Sequence, residues 1–147
     1  PRHAYKLAPN MSFMDAQEVW ASDRATPLEA LIYPLTKQGG RHYTGLSPEG
    51  EPMCMFGTHP AEMEGYGVIW FLGSDELKKY KYLVVKMCLE IVPELAHGYK
   101  VLYNFVDKRH KQAIKWLKIL GFKETYEVKS FGYGKIPFIL MTYEVNK

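Results

Sequence analysis

Gly67-Val68-Ile69-Trp70-Phe71-Leu72-Gly73 decides how this chain folds. The run has no polar face, and a strand of that kind is covered on both sides, so it belongs in the centre of a sheet. Ser74-Asp75-Glu76 follows as an N-cap with acidic first-turn residues. It opens a long helix in which Leu77, Tyr80, Leu83, Val84, Met87, Cys88 and Ile91 keep helical spacing. Pro93 lies near the end, where it stops or kinks the helix, and Gly98 closes the segment. Lys100 to Asp107 is a second, mostly apolar strand. Strand, long helix and strand place the two strands parallel, because parallel neighbours need a crossover and cannot be joined by a tight turn.

Working outward, Arg41 to Leu46 and Pro52 to Gly57 flank the turn Ser47 to Glu51 and read as an antiparallel hairpin. Thr58 to Gly65 reads as a polar connection. Further upstream, Ser12 stands as N-cap of a helix through Phe13, Ala16, Val19 and Trp20, and Thr26-Pro27 starts another. His3 to Ala8 reads as a first strand ended by Pro9-Asn10. Downstream, Arg109 to Leu120 is a helix with apolar Ala113, Ile114, Trp116, Leu117 and Leu120, closed by Gly121. Phe122 to Ser130 and Phe138 to Val145 are the last two strands. The class is α/β: a mixed, mostly antiparallel sheet with one parallel strand pair, flanked by helices, in a single domain spanning residues 1–147.

Composition narrows the function. Hydrophobic residues make up 47% and charged residues 24% of the 147, so the chain buries a core and is not a disordered or low-complexity one. No apolar run approaches the roughly 18 residues of a membrane helix, which points to a cytoplasmic protein. Nineteen Lys and Arg against sixteen Asp and Glu leave +3, too mild to argue for nucleic acid. Lysines cluster at 78, 79, 81 and 86 and again at 108, 111, 115 and 118, as a basic surface or as solvated helix faces. Cys54 and Cys88 sit among apolar neighbours without metal-ligand spacing, so reduced core thiols are expected and no metal.

The element order, together with Ala113-Ile114-Lys115-Trp116-Leu117-Lys118-Ile119-Leu120-Gly121-Phe122, resembles the GCN5-related N-acetyltransferase (GNAT) fold over nearly the whole chain. Met55-Phe56-Gly57, Trp70-Phe71-Leu72-Gly73-Ser74-Asp75 and Asn104-Phe105-Val106-Asp107 resemble more narrowly a branch carried by short-tailed bacteriophages, related to their internal virion protein A. The resemblance implies an N-acetyltransferase moving an acetyl group from acetyl-coenzyme A to an amine, located in the cytoplasm of an infected bacterium or inside the virion. It also implies a gap between the fourth and fifth strands of the family's fold that receives the acyl group, pointing to Phe71, Leu72, Gly73 and Asn104 with Lys78 and Lys79 nearby as cofactor-binding residues. His42 and Tyr43 on the hairpin are implied as contributors to an acceptor site.

The residues depart from the family at its chemistry. The Arg/Gln-x-x-Gly-x-Gly/Ala turn, whose bare amides hold a pyrophosphate at a helix N-terminus, corresponds here to Leu77, Tyr80 and Tyr82. Asp75 and Glu76 place carboxylates where phosphates would sit, and Lys78, Lys79 and Lys81 only partly offset them. No acid lies within Val68 to Leu72, and the family's tyrosine position falls on Leu117. Asn104 and His110 are the remaining catalytic candidates, His110 reading otherwise as a solvated surface histidine. Two functions follow: a GNAT-type acyltransferase with weak, lysine-dependent cofactor binding, or a non-catalytic binding protein on the same fold that contacts a virion or host protein.

Overall fold

In the computed structural model, which describes residues 1–145, the chain runs through α1 (Arg2–Leu7), α2 (Phe13–Asp23), α3 (Pro27–Ile32), β1 (Arg41–Leu46), β2 (Pro52–Pro60), β3 (Tyr66–Gly73), α4 (Lys81–Ala96), β4 (Val101–Asp107), α5 (Lys111–Ile119), β5 (Lys123–Phe131) and β6 (Ile136–Glu144). The six strands form one sheet in the order β1-β2-β3-β4-β6-β5. Only β3 and β4 run parallel, as the flanking apolar strands require.

That parallel pair is short. Tyr66, Gly67 and Val68 face Val101, Leu102 and Tyr103, and there the pairing stops, although β3 continues to Gly73 and β4 to Asp107. The outer edges stay laddered, β3 to β2 as far as Gly73 opposite Cys54, and β4 to β6 as far as Asp107 opposite Phe138. The two central strands therefore part company halfway along, leaving a gap between their C-terminal halves.

Each face of the sheet carries a core. On one, Cys54, Phe56, Ile69, Leu102, Val106, Ile139 and Met141 pack with Leu95 of α4, Phe122, and half-buried Leu117 and Leu120. Trp116 of α5 lies against Phe71, ring centroids 4.8 Å apart. On the other, Met55, Trp70 and Leu72 pack with Ala4, Leu7 and Leu31.

Three local expectations are corrected, and at Pro93 one of two open outcomes is excluded. His3 to Ala8 is not a strand but helix α1, because Ala4 and Leu7, three residues apart, form one fully buried stripe and both are strong helix formers. β2 does not end at Gly57. Thr58 is fully buried with its hydroxyl donating to the Leu95 carbonyl (3.0 Å), so the polar connection begins only after Pro60. Ser74 does not cap a helix: its N–H and Oγ both donate to the Met53 carbonyl, at 2.9 and 3.1 Å, holding it to β2. The chain then winds through a 3-10 turn, Asp75–Tyr80, before α4 begins at Lys81. Pro93 does not stop α4, which continues to Ala96.

Candidate functional site: the mouth of the splayed strands

Helix α2 begins beside the end of β3. Ser12 caps it, its Oγ accepting from the Asp15 N–H (3.2 Å), while the Ser12 N–H donates to the Gly73 carbonyl (2.8 Å). One turn of helix puts Asp15 and Glu18 on a common face. The two carboxylates bridge the parted strands. Gly73 N–H donates to Asp15 Oδ2 (2.9 Å) on the β3 side, and Asp107 N–H donates to Glu18 Oε1 (2.7 Å) on the β4 side.

A third element joins through His110. Its Nε2–H donates to Asp15 Oδ1 (2.8 Å), and its Nδ1 accepts from the Ala113 N–H (3.2 Å), making the ring the N-cap of α5. Asp107, whose side chain is 2% exposed, is held by Arg109: Nε and Nη2 donate to its two oxygens at 3.0 and 2.6 Å, and the Arg109 N–H to Oδ1 at 2.9 Å. Three carboxylates thus crowd the mouth of the gap with one guanidinium and one imidazole.

The crowding sets their protonation. Burial drives the Glu18 carboxyl up to about 8, the Asp107 amide and His110 working against it and the charges of Asp15 and Asp107 adding to it. Burial pushes His110 down, but its hydrogen bond to Asp15 and the charges of Glu18 and Asp15 outweigh that and leave it above the usual histidine range.

Among the residues expected from sequence, Gly73 lies in this network and is already bonded through both its N–H and its carbonyl. Phe71 and Leu72 point to opposite faces, Phe71 stacked on Phe56 and tilted against Trp116, and Leu72 buried in the second core. Asn104 stands one residue beyond the last β3–β4 pair, opposite Met141 of β6. Lys78 and Lys79 are exposed on the 3-10 turn, Lys78 lying 3.7 Å from Asp75. His42 and Tyr43 sit on β1, with β2 between them and β3, His42 against Trp70 and Tyr43 stacked on Phe56. His110 is a correction: it is 8% exposed and doubly hydrogen-bonded, not a solvated surface ring. Sequence reading missed Asp15 and Glu18. Their only signal was two acids spaced three apart on an N-capped helix, a pattern common on solvated faces.

Among the described residues there is no group of three or more His, Cys, Asp or Glu that could hold a metal, and no helix is long and apolar enough to cross a membrane. No protein-family model matches the sequence, and no curated protein matches it. Solved structures do match. A GCN5-related N-acetyltransferase from Kribbella flavida has a TM-score of 0.71 at 16% identity, over 98% of this chain and 93% of that one. Spermidine N-acetyltransferase from Vibrio cholerae matches with a TM-score of 0.62 at 10% identity, over 80% and 72%. An aminoglycoside acetyltransferase solved with coenzyme A and kanamycin matches with a TM-score of 0.62 at 18% identity, over 86% and 81%. The fold is that of the GNAT acetyltransferases.

Coenzyme A does not fit the residues found here. The turn after β3 offers no glycine and carries Asp75 and Glu76, Lys78 lies 3.7 Å from Asp75 with both side chains exposed, and the Gly73 amide at the gap's edge is taken by Asp15. A phosphate dianion at that turn meets like charge where it needs bare N–H groups.

Proposed function

We propose that this chain is a non-catalytic binding protein built on the GNAT fold, with a virion or host protein of a short-tailed bacteriophage as its partner. The observation that carries the reading is the mouth of the gap: the chain's own Asp15 and Ser12 bond the Gly73 N–H and carbonyl, and Glu18 bonds the Asp107 N–H. The Gly73 and Asp107 N–H donors, each already bonded within the chain, have no proton left for an incoming ligand. The viral partner and a location in the virion or in the infected cytoplasm are supported by the resemblance of Met55 to Phe122 to the phage branch.

Thermal unfolding with acetyl-coenzyme A tests it. A ligand at 100 times its dissociation constant stabilises by about 2.7 kcal/mol, about 8 °C for a chain of this size. At millimolar acetyl-coenzyme A the expected shift is under about 1 °C, and a shift of several degrees at physiological salt overturns the reading.

One observation favours acyl transfer instead. A carboxyl raised to about 8 at the edge of the gap is suited to take a proton from an amine near neutral pH. On that reading, thiol release from acetyl-coenzyme A with an amine such as spermidine exceeds background, rises with pH through the Glu18 midpoint, and is lost in Glu18→Gln.

A further inference from the structure

Of the three carboxylates at the gap, two are fully provided for. Asp15 uses one oxygen on His110 Nε2 and the other on the Gly73 N–H, and both oxygens of Asp107 meet the Arg109 guanidinium. Glu18 receives the Asp107 N–H and no cation of its own. It shares the space with Asp15 and Asp107, so the third negative charge is the one this arrangement is least able to hold.

We propose that α2 is a proton-gated clasp over the splayed strands, closed while Glu18 carries a proton and released from Gly73 and Asp107 when Glu18 ionises. The charged and titratable groups facing Glu18 come from each element around it: Asp15 of α2 itself, Asp107 at the end of β4, Arg109 behind it holding Asp107, and His110 at the start of α5. Cys54 of β2 feels the Asp15 charge, but burial raises its thiol to about 12 and keeps it neutral throughout. β3 contributes only the Gly73 backbone.

The direction is set by Glu18 and His110 together. Glu18 holds its proton more tightly in the closed state than in the open one, so the closed state loses ground as pH rises from about 4.5 to about 8. His110 is also raised, and its contribution is present below 6.5 and lost as pH climbs past its value in the folded protein. Both changes favour opening on the alkaline side. Release would free the Gly73 N–H and carbonyl and the Asp107 N–H, the groups that now close the gap.

The gate rests on the reading that α2 closes the gap, and amide hydrogen exchange separates the two. Protection factors of the Gly73 and Asp107 amides, corrected for intrinsic exchange, are expected to fall at least about tenfold between about pH 6 and about pH 9, one pKa unit of coupling being a factor of ten. Amides of the β4–β6 ladder should hold over the same range. Glu18→Gln keeps the acceptor oxygen and cannot ionise, so its Gly73 and Asp107 protection should change much less with pH than in the unaltered protein, the remainder being the His110 contribution. Carbon-13 titration of the Glu18 carboxyl in the unaltered protein should give a midpoint near 8. The gate fails, with the closed gap intact, if both amides are equally protected at the two pH values, if Glu18→Gln loses protection as the unaltered protein does, or if the carboxyl midpoint lies below about 6. If the two amides are unprotected at every pH, the closed gap itself is wrong.

Discussion

Asp15→Ala is expected to lower the unfolding free energy by about 2–5 kcal/mol in urea denaturation. The carboxylate, whose side chain is 14% exposed, accepts from two donors on different elements, the Gly73 N–H and His110 Nε2–H. Removing it leaves both enclosed without a partner, and each such orphan costs about 1–3 kcal/mol, well above the net worth of an ordinary hydrogen bond. The His110 ring would also lose the contact that orients it, weakening its cap on the Ala113 N–H. Asp15→Asn keeps one acceptor oxygen and should lose less. A loss under about 1 kcal/mol for the alanine variant would mean that α2 is not fastened to the splayed strands by this residue.

Phe138→Ala should be at least as damaging, about 3–5 kcal/mol, with the melting temperature falling by roughly 10–15 °C in calorimetry. Phe138 is fully buried in β6, opposite Asp107 of β4 and Val128 of β5, with the Phe131 ring 4.7 Å away. Its removal opens a cavity at the end of β4, close to the residues that anchor Arg109 and receive Glu18. Phe138→Leu retains most of the volume and should cost much less. Similar losses for the two variants would point to strain in the hairpin rather than lost packing.

How much was legible before the structure varies with the range of the forces involved. The Thr26–Glu29 capping box and Pro27 at the first helical position act within one turn, and α3 starts where they direct. Ser12 likewise starts α2. The parallel arrangement of β3 and β4 follows from two apolar strands joined by a long amphipathic helix, a constraint of chain connectivity rather than of any single contact. Sequence and structure differ where a distant partner overrides a local preference. Ser74 is a good N-cap by type, yet two hydrogen bonds to Met53, twenty-one residues away, take it for the sheet. Thr58 reads as loop, yet its hydroxyl satisfies a carbonyl in the last turn of α4. In α1 the short stretch before Pro9-Asn10 reads as a strand, while burial of Ala4 and Leu7 against β2 and β3 favours the period of a helix.

The sequence by itself determined the GNAT-like order of helices and strands from α2 onward, the central place of β3 and the lack of a glycine-lined phosphate turn, because each depends on residue type and spacing along a short stretch. Only the tertiary structure decided what occupies the mouth of the gap. Asp15 and His110 are ninety-five residues apart, and Glu18 and Asp107 eighty-nine. Nothing in either neighbourhood marks them as partners. Their meeting, and the enclosure that lifts the Glu18 carboxyl, arise when the two strands diverge and α2 crosses their ends, because hydrogen bonding and desolvation act through space at a few ångströms and are blind to distance along the chain.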